Sequence, residues 1–167
     1  MTVVTQRTWG ARLAGLTLAV LLGTGWLVGF VGQDPAHARR HRNRNRLASN
    51  EESSFRGMIN GERVTRGVRT LHMGNRLVSI ARHHSAAMAE SNSLYHNPNL
   101  AQDLSSVQFS IAGENVGVGP TLPILHDAFM ASPPHRENVL RPQFRKVGVG
   151  VVTGGDGRIW ITIVFSG

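Results

Sequence analysis

The chain has 167 residues, no cysteine and a formal charge of +8, so no disulfide can staple it and no thiolate can act as nucleophile or ligand. The basicity is concentrated. Residues 39–46, RRHRNRNR, hold five arginines, whereas residues 51–167 carry eleven Lys/Arg against nine Asp/Glu, a balance of +2, so the excess belongs to a short arm and argues against a nucleic-acid groove.

At the N-terminus, Arg7 and Arg12 flank the start of an apolar run from Leu13 to about Gly32, and Ala36-His37-Ala38 follows a polar turn. This pattern predicts a secretory signal over residues 1–38, cut after Ala38, and a protein that is secreted or held at the cell envelope. The alternative is an uncleaved anchor, because a run of this length can also span a bilayer. Membrane contact is then expected through that segment alone. Residues 39–50 read as a basic, disordered linker, and residues 51–167 as one domain. The arm suits anionic wall polymers or lipid headgroups, with an attraction that falls as salt rises.

Asn50-Glu51-Glu52 places two acids where a helix N-terminus wants them, and Phe55, Met58, Ile59 and Val64 follow near helical spacing up to Gly67. A second helix is predicted after Gly74-Asn75, with Leu77, Ile80, Ala81, His84 and Met88 on one stripe and an end near Ser91-Asn92. Residues 97–108 are polar and irregular, and the stretch around AGENVGVG is a short strand bounded by glycines. Thr121 caps a third helix through Leu125, Ala128, Phe129 and Met130, and Ser132-Pro133-Pro134 opens a further turn, with Ser132 as its cap. Alternation at Val147, Val149 and Val151, the turn GGDG, and alternation at Ile159, Ile161, Ile163 and Phe165 make a terminal hairpin. Helices first and strands last, without a βαβ rhythm, indicate an α+β fold with helices on a small antiparallel sheet.

The glycines of AGENVGVG do not build a phosphate loop. Gly117-Val118-Gly119 runs into Pro120, the only lysine is Lys146, and Glu114 would repel a phosphate. His84, on the apolar stripe, is expected to be a hydrogen-bonded core histidine, with His83 facing solvent. His96 and His135 stand at element boundaries, where a side chain can be aimed into a cleft. With Glu114 they form a candidate catalytic set or a three-ligand zinc site with an open position, although their spacing alone does not bring them together. The bland alternative is a hydrogen-bonded network that ties helix, strand and helix. Asn115 and Asn138 are expected to hydrogen-bond backbone at their turns.

The order INGER, LYH, GENVGVG, FMASPPHRENVL and FRKVGVGVV, ending in a strand that bears Trp160, resembles the CAP superfamily. That superfamily comprises the cysteine-rich secretory proteins, antigen 5 and pathogenesis-related 1 proteins, or SCP domains, and the likeness is to cysteine-free bacterial members. It runs from about Phe55 to Phe165. The resemblance implies an α-β-α sandwich, with a small central antiparallel sheet between helical layers. It also implies a cleft lined by two histidines and two acids, with His96, Glu114 and His135 at three of the positions. The fourth, an acid in the family, falls on Ser132, which puts full metal binding in doubt. With the signal segment, the basic arm and the missing acid, the expected function is a non-enzymatic binding module for lipid or wall polymer, acting as a monomer. The alternative is a zinc-dependent hydrolase working from the His/Glu cleft, zinc being the only cofactor in view.

Overall fold

The structure, a computed structural model, describes residues 2–5 and 49–167. The proposed signal, apart from Thr2–Thr5, and the arginine-rich arm lie outside the described residues. The elements in chain order are β1 (Thr2–Thr5), α1 (Asn50–Thr65), β2 (His72–Met73), α2 (Asn75–Ser91), α3 (Leu100–Asp103), β3 (Ile111–Gly119), α4 (Leu122–Ala131), α5 (Pro133–Leu140), β4 (Lys146–Thr153) and β5 (Ile159–Ser166).

One sheet runs in the order β1-β3-β5-β4-β2. All neighbours are antiparallel except β2, which pairs parallel to β4 at Lys146 and Val147, so the expected antiparallel sheet is mixed at one edge. The hairpin appears where alternation placed it, with Val149 opposite Ile163 and Val151 opposite Ile161. Because successive strand residues point to opposite faces, the two sets of alternating residues build two cores. Val147, Val149, Ile161, Ile163 and Phe165 meet Phe55 and Ile59 of α1, Leu125 and Phe129 of α4 and Val139 of α5. On the other face Ala112 and Val164 meet Leu77, Ile80 and Ala81 of α2, while Val116 and Trp160 meet Met88. The result is the α-β-α sandwich, with helices on both faces.

Helix α1 begins at Ser49. Its hydroxyl accepts from the Glu52 N–H (3.2 Å), and the Glu52 carboxylate accepts the Ser49 N–H (2.6 Å), which satisfies two of the donors left over at a helix start. The same carboxylate receives Nε and Nη2 of Arg82 on α2, each at 2.6 Å, and joins the two helical layers. The buried face of α1 is Glu52, Phe55, Ile59 and Arg63, whereas Val64, expected on the apolar stripe, is 61% exposed. Arg63 takes the buried place because its guanidinium donates to the carbonyls of Arg69 (2.7 Å), Val139 (2.7 Å), Arg141 (3.1 Å) and Phe144 (3.4 Å).

Helix α2 lies directly on β4. A Cβ at Gly148 would fall 2.1 Å from the carbonyl carbon of Leu77, and one at Gly150 would fall 2.2 Å from that of Ala81. No side chain fits between them, and Ser85 Oγ reaches the Gly150 carbonyl at 2.9 Å. Gly150→Ala is therefore expected to cost about 3 kcal/mol or more, at the top of the overpacking range. Gly155, whose added Cβ would meet nothing within 4 Å, should accept alanine within about 0.5 kcal/mol. Denaturant unfolding of the two variants beside the parent checks this contrast.

Candidate functional site

The glycines of β3 shape both of its faces. A Cβ at Gly113 would press on Phe144 (2.9 Å) and Asn138 (3.1 Å), and one at Gly117 on Phe129 (2.9 Å). They make room for α4 and α5 to approach the strand. The alternate residues point the other way: Ala112 and Val116 enter the α2 layer, and Glu114 goes with them.

Glu114 has no exposed surface. Its Oε1 accepts from His96 Nδ1 at 2.8 Å and from the Asn97 N–H at 2.9 Å, while Oε2 is buried without a hydrogen-bond partner among the described residues. The chain reaches this position because α2 ends in Asn92, whose left-handed backbone (φ 48°) turns it back. Asn97 then fixes the following turn, its Oδ1 accepting from the Asn99 N–H (2.9 Å) and its Nδ2 donating to Asp103 Oδ2 (2.9 Å). His84 packs edge-on against Tyr95 and its Nε2 bonds the Tyr95 carbonyl at 2.8 Å, as expected of a core histidine. His83 is exposed.

On the other face, Asn138 Nδ2 donates to the Glu114 carbonyl (3.2 Å) and to Asn115 Oδ1 (2.9 Å), and Asn115 Nδ2 donates to the His135 carbonyl (3.0 Å). Asn115 and Asn138 therefore bond backbone, as the sequence reading holds, but from strand β3 and helix α5 and not from turns, and each also bonds the other. His135 Nδ1 lies 2.9 Å from Ser132 Oγ. Ser132 stands at the start of α5 without capping it through its side chain; the hydroxyl that sequence assigns to capping orients the imidazole instead.

His96 and Glu114 thus form a direct pair, and His135 approaches from the opposite layer with its own Nδ1 turned to Ser132. Burial pushes the His135 pKa below the ordinary histidine value, and the neighbouring His96 adds to the effect. A zinc site would need all three groups on one ion. The Nδ1 bonds to Glu114 and Ser132 are of the kind that orient a ligating imidazole and leave Nε2 as the nitrogen that would bind, while among the described residues no group of three or more His, Cys, Asp or Glu side chains is arranged to hold a metal. Glu114 is a buried carboxylate held by an imidazole and a backbone amide, with a second imidazole across the strand.

The sign of the pH effect follows from the depressed pKa. The folded state prefers neutral His135, so the stability it contributes is full above the ordinary value of 6.5 and is lost as pH falls through 6.5 toward the folded pKa. Thermal melts from pH 8 to pH 5 should show a shallower loss for His135→Gln than for the parent chain.

The sequence model of the cysteine-rich secretory protein family, CAP, matches residues 56–165. The uncharacterized protein YkwD of Bacillus subtilis is 32% identical over 110 residues, which cover 62% of this chain and 42% of that protein. The chain therefore spans about two fifths of the curated relative it matches. Among solved structures, an outer surface protein of Borrelia burgdorferi superposes with a TM-score of 0.65 at 17% identity, over 72% of this chain and 95% of that one. An extracellular SCP-domain protein of Bacillus anthracis gives a TM-score of 0.62 at 24% identity, over 81% and 44%. These likenesses carry the fold, and the family match runs over well more than half of the sequence: the chain belongs to the cysteine-rich secretory protein family, the CAP family.

Proposed function

We propose that this CAP-domain chain is an exported, non-enzymatic binding module that works at the cell envelope or outside the cell on lipid or anionic wall polymer. The observation that carries the reading is how the polar groups of the cleft are engaged. Oε1 of Glu114 is taken by His96 and the Asn97 amide, and Ser132, standing where the family has its second acid, is taken by His135. A paired-carboxylate mechanism needs two acids whose environments hold one protonated and one ionised. Of the two acid positions in the cleft, this chain keeps a carboxylate only at Glu114.

Two further facts support export. Proteins of similar fold are described as an outer surface protein and an extracellular protein. Among the described residues no helix is long and apolar enough to cross a membrane, which leaves the apolar run at 13–32 as the segment that would meet the bilayer. The five arginines of residues 39–46 then lie next to the new N-terminus and supply a salt-sensitive attraction to anionic polymer or headgroups.

One feature favours the hydrolase reading: Oε2 of Glu114 is buried and unpartnered among the described residues, an arrangement that costs about 1–3 kcal/mol unless something meets it. The two readings separate in one experiment. Under the binding reading, the double variant His96→Ala/His135→Ala keeps its binding to anionic vesicles or purified wall polymer, and replacing the five arginines by glutamine removes the salt-dependent part. Saturable Zn²⁺ uptake at micromolar concentration near neutral pH, lost in the double variant, would favour the hydrolase.

A second measurement separates architecture from ligand duty at Glu114. Glu114→Gln should lower stability by about 1–3 kcal/mol, the size of a buried charge-assisted bond, and chelator should leave its melting temperature and that of the parent unchanged.

A further inference from the structure

The outer edge of β3 has backbone groups that the rest of the domain does not fully satisfy. Ile111 exchanges both backbone bonds with Gly167, donating at 3.3 Å and accepting at 3.0 Å. In an antiparallel ladder the alternate residues then turn their N–H and C=O groups to the other side, so Ala112 and Glu114 face away from β5. The Asn138 side chain reaches the Glu114 carbonyl from that side. The remaining partners come from β1, which pairs antiparallel with Val4 opposite Ala112 and Thr2 opposite Glu114. Thr2–Thr5 lies within the segment read above as a removable signal. Cleavage after Ala38 would take β1 away and leave this edge open.

An open edge is normally blunted by lysine, proline, a bulge or an inward-pointing charge. The stretch Ile111–Gly119, IAGENVGVG, has no proline and no basic residue. Its one charge, Glu114, is directed to His96 and Asn97 and not across the edge. What sits there in this chain is TVVT, four β-branched residues in extended form, the residue type that favours strands.

We propose that the outer edge of β3, from Ile111 to Glu114, is a strand-addition site that captures an extended peptide antiparallel, in the register of Thr2–Thr5. This rests on the removal of residues 1–38 proposed above and goes beyond the lipid or polymer reading, since the recognised chemistry is a peptide backbone. Main-chain bonds supply the affinity in such sites, as in other cases of strand addition. The register sets a rule for the ligand. Residues opposite Ala112 and Glu114 must offer a free N–H, whereas the residue opposite Gly113 turns its N–H outward and need not.

The test uses residues 39–167. The described core clusters lie between Phe55 and Phe165, and the Borrelia protein matched over 95% of its length by 72% of this chain shows that such a unit stands as a fold by itself. The labelled chain is titrated with the synthetic peptide MTVVTQ, residues 1–6, while its amide NMR signals are followed. Saturable shifts are expected at Ala112 and Glu114. N-methylation at Val4 should weaken binding by about 10-fold and at Val3 by less than about 3-fold, the difference of one hydrogen bond. No saturable shift, equal weakening by both methyl groups, or concentration-dependent dimerisation through the same residues would overturn the proposal. Intact mass of the chain recovered from the medium reads separately whether residues 1–38 are removed. A retained segment would overturn the proposal for the exported chain, because β1 would still cover the edge, while export itself would stand on the chain's presence in the medium.

Discussion

Contact between the α2 backbone and the β4 backbone is the constraint on which the rest of the molecule depends. With glycine at 148 and 150, the helix lies so close that an added methyl would overlap Leu77 or Ala81. A helix at that distance cannot slide or rotate without collision, so its axis is fixed relative to the sheet. Everything downstream inherits that position. The Asn92 turn, the Tyr95 carbonyl held by His84 and the Asn97 turn run in sequence from the end of α2 and deliver His96 to Glu114. The imidazole is placed by a chain of short-range contacts that begins at two missing side chains.

The opposite layer is fixed by a different device. Arg63 is fully buried and meets four carbonyls, one before β2 and three at or after the end of α5. Burial lowers its pKa, with the neighbouring Arg145 adding to the shift. The carbonyls cluster where a helix dipole is negative, so the guanidinium is compensated by dipoles. A lysine would offer three donors from a single point and could not span the same set. Because Arg63 holds the end of α5, it also fixes the helix whose first turn carries His135.

Much of this was legible in the sequence. The stripe on α2, the terminal hairpin, the buried His84 and the exposed His83 all follow from the period of the apolar residues, and the packing role of the β3 glycines follows from Pro120 and the lack of a lysine after them. Arg63 was not legible. An apolar stripe prefers Val64, and nothing local shows that carbonyls from residues 139–144 will converge on the neighbouring arginine. The two-residue β2 is too short to show a period, and its parallel pairing depends on where α2 places it. Element-boundary positions and the family resemblance nominate His96, Glu114 and His135, but sequence spacing does not show which helical layer each side chain comes from. That distinction depends on which face of β3 each side chain leaves from.

The two histidines arrive from different layers. His96 reaches Glu114 on the α2 side of β3, and His135 sits at the start of α5 on the other side, its carbonyl tethered to Asn115. The distance between the rings is therefore a gauge of sandwich thickness, set by how far apart the two helical layers stand around the edge strand. A substitution or bound molecule that spreads the layers changes the separation of the two imidazoles, and Phe129, whose ring centroid lies 5.1 Å from that of His135, is the core side chain in direct touch with that spacing.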